Sequence, residues 1–215
     1  IKYCTKIINF LSNKNVKLII VACNTASSVA LSTIKTITNI PIIDVITPAI
    51  HDISNLANVQ NIGILGTETT IQSKEYQKKI KKINQNINIY SQACPLFVPI
   101  IEEGLFNHKI AQITTEMYLK NMKNKIDTLI LGCTHYPIMM PTIKKTINKN
   151  VYIVDSALSS ANYVKKYIKN NKIEKNTNDS SLSNLYYVSD KVVRFSDITD
   201  LFLQKNIQNI QKIKL

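Results

Sequence analysis

The chain has 215 residues, 45% of them hydrophobic, which is enough for one large core or two small ones. It contains no run of about 18 apolar residues, and its start lacks a long apolar stretch and a small-residue cleavage site, so neither a membrane span nor a signal peptide is expected. The net charge is +13, yet Arg194 is the only arginine among 27 basic residues, which disfavours a nucleic-acid reader built on bidentate arginine contacts.

A bias of A+T-rich codons toward lysine, asparagine and isoleucine accounts for the charge. The four cysteines, Cys4, Cys23, Cys94 and Cys133, are too few and scattered for a disulfide scaffold. A reducing cytoplasm is the expected setting.

In chain order, a first helical segment shows Tyr3, Ile7, Phe10 and Leu11 on one face. "KLIIVA" (17–22) then reads as a strand. Val29, Ile34 and Ile37 share the face of a second helix. "PIIDVI" (41–46), "NIGILG" (61–66) and "NINIYS" (86–91) are further strands, short, β-branched and bounded by turn residues. Ile113, Met117 and Leu119 mark another helix. "DTLILG" (127–132) and "NVYIVD" (150–155) complete the set. Strand–helix alternation predicts right-handed βαβ units and parallel sheets flanked by helices.

"VITPAI" (45–50) and "VDSALS" (154–159) each follow a strand and carry a turn-former. They read as two crossings between pseudo-symmetric lobes, the first formed by 1–47 plus 157–215 and the second by 48–156. The active site is expected in the cleft between them. The polar stretch 169–184 reads as a solvated loop. The tail "QKNIQNIQKIKL" reads as a basic amphipathic helix at most.

Two segments repeat one pattern. "VKLIIVACNTAS" and "IDTLILGCTHYP" each run strand, small residue, cysteine, hydroxyl-bearing turn, helix. In an open α/β sheet, ligands bind beyond the carboxyl ends of strands. Cys23 and Cys133 lie there, each near a helix start that favours a thiolate, with Asn24, Thr25 and Thr134 beside them. A cysteine in such a place can also be a small apolar filler; two in matching contexts favour function. Cys133 and His135 lack the paired spacing of a structural zinc site, so no metal is expected. A Cys–His nucleophile dyad would leave Cys23 unused. Two equivalent thiols suit inversion of a stereocentre, in which a thiolate removes a proton from one face and a thiol delivers one to the other.

"ACNTAS" and "GCTHYP" closely resemble the two active-site motifs of the glutamate racemases of the aspartate/glutamate racemase superfamily. "IPIIDVITPAI", "GILGTETTIQSKEY", "ACPLFVPIIEEGL", "VYIVDSA" and "LYYVSDKVVRFSDIT" resemble family segments in the family's order. The resemblance implies cofactor-independent interconversion of L- and D-glutamate, supplying peptidoglycan synthesis, cell-wall biogenesis and cell shape in a bacterial cytoplasm. It implies that Cys23 and Cys133 are the acid/base pair, assisted by His135 and Glu102, with Glu103 ranked below Glu102. It further implies substrate contacts from Asn24, Thr25, Thr67, Thr70, Thr134 and His135. Glu102 reads equally well as part of a solvated helix start, and Thr67 as an ordinary helix cap. Cys4 and Cys94 are expected to be packing residues, and His51 and His108 surface residues. Glutamate is the expected partner, without membrane or nucleic acid, and a homodimer is compatible. Racemisation of another acidic amino acid, an inactive remnant and a basic nucleic-acid-binding module are the alternatives.

One departure stands out. The family pattern opens with a strand ending in Asp-Ser-Gly, then a Pro-Tyr-Gly turn, and neither is found here. The chain begins inside the helix before the second strand, so it is expected to be a fragment or a shortened form, with activity below that of a version carrying the segment.

Overall fold

β-Branched runs bounded by turn residues form the strands, and they pair as the patterning requires. The computed structural model describes residues 1–173, 184–190, 192–203, 207 and 209–215. These fall into two compact units, Ile1–Tyr167 and Ile168–Leu215.

The first unit opens with α1 (Lys2–Ser12), β1 (Ile19–Val21), the short helices α2 (Asn24–Val29) and α3 (Leu31–Lys35), and β2 (Ile42–Asp44). β1 and β2 pair in parallel, Ile19 opposite Ile42. Ile8, Ile19, Ala30 and Ile34 form the local core, with Cys4 and Leu11 packed against it. The inward face of α1 therefore runs through Cys4, Ile8 and Leu11, while Tyr3 and Ile7 are exposed. The expected face is rotated by about one residue because Ile7 and Ile8 are adjacent and either can belong to the apolar stripe, leaving its periodicity ambiguous.

α4 (Ile46–Ser54), β3 (Asn61–Gly66), α5 (Glu68–Ser73), α6 (Glu75–Ile83) and β4 (Asn88–Ala93) follow. Next come α7 (Phe97–Glu102), a 3₁₀ turn at Leu105–Asn107, α8 (Lys109–Leu119) and β5 (Thr128–Gly132). A second 3₁₀ turn at Tyr136–Met139 leads to α9 (Met140–Thr146), β6 (Tyr152–Asp155) and α10 (Ser156–Asn170). The four strands make a parallel sheet in the order β4-β3-β5-β6. Ile62, Ile64, Ile130 and Val154 bury one face against Ile46, Ala49, Ile50 and Ile53 of α4 and Tyr76 and Ile80 of α6. Phe97 stacks edge-on against both Tyr118 and Tyr136, with ring centroids 5.2 and 5.1 Å apart. In α8, Ala111, Thr114, Thr115, Tyr118 and Leu119 are buried, whereas Ile113 and Met117 are exposed. Only Leu119 of the expected trio faces inward.

β2 and β6 end alike. Asp44 Oδ1 accepts the Ile46 and Thr47 N–H groups at 2.8 Å each. Asp155 Oδ1 accepts those of Ala157 and Leu158 at 2.8 and 3.2 Å. Each carboxylate caps the helix that leaves the strand, satisfying orphan donors.

The second unit contains β7 (Tyr186–Val188), α11 (Val192–Leu203) and β8 (Ile210–Lys212). β7 and β8 pair in parallel. Within the tail, Ile210–Lys212 is a strand where a helix is expected: Ile207, Ile210 and Ile213 have a helical spacing, but ladder bonds to Tyr186–Val188 override it there, and residues 204–206 and 208 lie outside the described residues. Of the expected loop 169–184, residues 174–183 lie outside the described residues.

Candidate active site

Cys23 is exposed at the end of β1 and is the residue before α2. Cys133 follows β5 directly and is 7% exposed. Each leaves the carboxyl end of a parallel strand. Burial pushes the Cys133 thiol up to about 11; the Cys23 thiol and the Glu102 carboxylate add to the rise, against backbone donors at His135 and Tyr136.

Around Cys133 stands a short relay. His135 Nδ1 lies 3.9 Å from Cys133 Sγ, and His135 Nε2 lies 3.2 Å from Glu102 Oε1. Glu102 is the last residue of α7, and Glu103 follows it as the exposed cap. The acidic pair closes a helix, rather than opening one, and it is Glu102 that faces His135.

Beside Cys23, three threonine hydroxyls converge. Thr25 Oγ1 lies 2.8 Å from Thr67 Oγ1 and 3.3 Å from Thr70 Oγ1. Thr67 and Thr70 hydroxyls are 2.9 Å apart. Thr67 also caps α5, its hydroxyl accepting the Thr70 N–H at 3.3 Å. Thr67 is both the helix cap and a member of this cluster. Thr134 lines an apolar hollow of about 210 Å³ with Ala22, Val45 and Ala157.

Asn24 is buried, and its amide is engaged at both ends. Tyr76 Oη donates to Asn24 Oδ1 at 2.6 Å, and Asn24 Nδ2 donates to Ser156 Oγ at 3.1 Å. Ser156 in turn donates to the Leu131 carbonyl at 2.8 Å. In the sequence Tyr76 stands only as the end of the segment "GILGTETTIQSKEY", with no role assigned, and Ser156 only as part of a turn. The signal available was the matching strand–Asp ending of β2 and β6, which places Ser156 at a helix start.

Cys94 is buried, with its thiol 3.6 Å from the Gln92 carbonyl. His51 is exposed, and His108 caps α8 by accepting the Ile110 N–H at 3.3 Å. Among the described residues, no helix is long and apolar enough to cross a membrane.

A family profile described as Asp/Glu/Hydantoin racemase matches residues 2–164. The chain is 35% identical to the glutamate racemase of Geobacter metallireducens over 215 residues, covering all of this chain and 79% of that one. It superposes on the crystal structure of glutamate racemase from Francisella tularensis in complex with D-glutamate with a TM-score of 0.90 and 35% identity, over 99% of this chain and 79% of that one. A glutamate racemase isoform from Bacillus anthracis gives a TM-score of 0.92 at 28% identity, over 100% of this chain and 80% of that one.

Proposed function

The chain belongs to the Asp/Glu/hydantoin racemase family, and from that premise we propose that it interconverts L- and D-glutamate with Cys23 and Cys133 as the acid/base pair. The observation that carries the reading is the matched placement of the two cysteines: each leaves the carboxyl end of a parallel strand and runs into a polar turn, Cys23 into the one that carries Thr25 and Cys133 into the one that carries His135.

In one direction a cysteine thiolate takes the α-proton, forming an S–H bond while the C–H electron pair stays on carbon. The opposite thiol then gives its proton to the other face of that carbon and is left as the thiolate. Reversal exchanges the roles. Proton exchange with solvent restores the starting thiol and thiolate. Glutamate is charged and polar, and the hydroxyls of Thr25, Thr67 and Thr70, with Thr134 and His135, are suited to hydrogen-bonding its carboxylates and ammonium. Asn24 holds the turn that presents Thr25, since its own amide is taken by Tyr76 and Ser156. Glu102 orients His135, which stands beside Cys133.

On this reading the product D-glutamate serves peptidoglycan synthesis in the cytoplasm, and a homodimer is the assembly to look for. The test is incubation with L-glutamate, D-glutamate and each aspartate enantiomer, followed by chiral separation. Conversion of both glutamates toward equal amounts supports the reading. Conversion of aspartate in their place would move the substrate to another acidic amino acid. Salt-sensitive DNA binding without conversion would replace the enzyme with a binding module.

A further inference from the structure

We propose that Tyr76 and Ser156 are positioning residues that set the separation between the two thiols; this rests on the two-thiol reading above. Three hydrogen bonds form one line from Tyr76 to Asn24 to Ser156 to the Leu131 carbonyl, at 2.6, 3.1 and 2.8 Å. Asn24 directly follows Cys23. Leu131 precedes Cys133 by two residues on β5. The line therefore joins the turn that carries one thiol to the strand that carries the other, without using a substrate atom.

The direction of each bond is fixed by proton supply. Ser156 has one hydroxyl proton and gives it to Leu131, so toward Asn24 it accepts. That turns the amide nitrogen of Asn24 to Ser156 and its oxygen to Tyr76. Tyr76 must then donate, and burial raises its pKa so that it keeps the proton. Tyr76, Asn24 and Ser156 are 1%, 2% and 0% exposed, so water does not replace a lost partner easily.

Tyr76 also lies close to the end of the strand that leads to the second thiol. A Cβ on Gly132, the residue before Cys133, would lie 3.3 Å from Tyr76 Cε2 and 2.7 Å from the Leu65 carbonyl oxygen. The tyrosine ring thus lies next to the space above Gly132, on the Cys133 side, while its hydroxyl bonds Asn24 on the Cys23 side. Two-base inversion needs both thiols in line with one carbon, and small displacements of such groups are costly in rate.

The test uses Tyr76→Phe, Ser156→Ala and the double variant of the full chain, each incubated with L-glutamate in D2O. Deuterium at the α-position is followed by NMR in recovered substrate and in product. A thiol that has taken the α-proton exchanges it with solvent and can return deuterium to the same face. Correct alignment favours delivery from the opposite face instead. Each single variant is expected to racemise about tenfold more slowly, with a severalfold rise in the ratio of deuterium in substrate to deuterium in product. The double variant should be no worse than the poorer single one, as members of one line. A loss of folded protein would lower both signals together and leave the ratio unchanged, and an unchanged ratio overturns the inference. Cys23→Ser and Cys133→Ser separate the two levels. If both still racemise at the unsubstituted rate, the two-thiol reading fails and this inference with it. If both are inactive while the Tyr76 and Ser156 variants keep the original ratio, only this inference fails. Amide hydrogen exchange is an independent readout: Ser156→Ala should speed exchange in peptides spanning 22–28 and 131–137 and leave other peptides of the first unit unchanged. Unaltered protection there would also overturn it.

Discussion

Glu102 Oε1 meets His135 Nε2 at 3.2 Å, across 33 residues of sequence, and the other ring nitrogen of His135 faces the Cys133 thiol at 3.9 Å. Both partners are partly exposed, so the pair adds little to stability. Its consequence is orientation of the ring beside the thiol. Glu102→Gln keeps the shape and removes the carboxylate. We expect kcat/KM to fall about tenfold. The fall should be equal for L- and D-glutamate, because an equilibrium constant of one ties the two values together. Steady-state kinetics in both directions checks this, with Glu103→Gln, at the exposed neighbour, expected to fall far less.

The two thiols should respond differently to alkylation. Cys23 is exposed, and Cys133 is both buried and raised to about 11. Only the thiolate reacts. Peptide-resolved mass spectrometry with iodoacetamide at about pH 8 should find Cys23 modified well before Cys133. The rate at Cys133 should climb as pH rises toward about 11.

The same shift gives a stability prediction. The folded-state pKa of Cys133 lies above its unfolded value, so the unfolded chain releases this proton first as pH rises. Its contribution is fully present below the unfolded value of about 8.5 and is lost as pH approaches about 11. The loss has an upper bound of about 1.4 kcal/mol per pH unit in that window. Thermal melts at a series of pH values should show a shallower alkaline decline for Cys133→Ser than for the unsubstituted chain.

Gly132 and Gly104 should tolerate alanine unequally. A Cβ at Gly132 would lie 2.7 Å from the Leu65 carbonyl oxygen, which is backbone and cannot move aside cheaply. Gly132→Ala should cost about 1–3 kcal/mol and lower Tm by several degrees. Gly104 has φ +71° with nothing within 4 Å of its Cβ position. Gly104→Ala should cost only the strain of left-handed backbone, about 1 kcal/mol. Melting curves of the two variants side by side check the order.

Much of this was legible in the sequence. "NIGILG" forms β3 over the same residues, because β-branched alternation and two bounding turns leave no competing pattern. The cysteines were legible because each closes a strand and opens a polar turn. Helix faces were less so: apolar residues stand on more than one face, at Ile7 and Ile8 in α1 and at Ile113 and Leu119 in α8, and packing chose Ile8 over Ile7 and Thr114 over Ile113. The Asp ending of β6 marked Ser156 as a helix start, but its joining with Tyr76 and Asn24 was not legible. The bonds span 52 and 132 residues, and no local spacing encodes which buried hydroxyls will meet.

If Cys23 and Cys133 act as a pair on one α-carbon, loss of either thiol stops inversion. Solvent deuterium entering the α-position of L- and D-glutamate tests it most directly, measured for the chain itself, Cys23→Ser and Cys133→Ser. The unsubstituted chain is expected to show exchange and inversion, and either variant to invert at least about 100-fold more slowly. Undiminished inversion in either single variant would contradict the paired action.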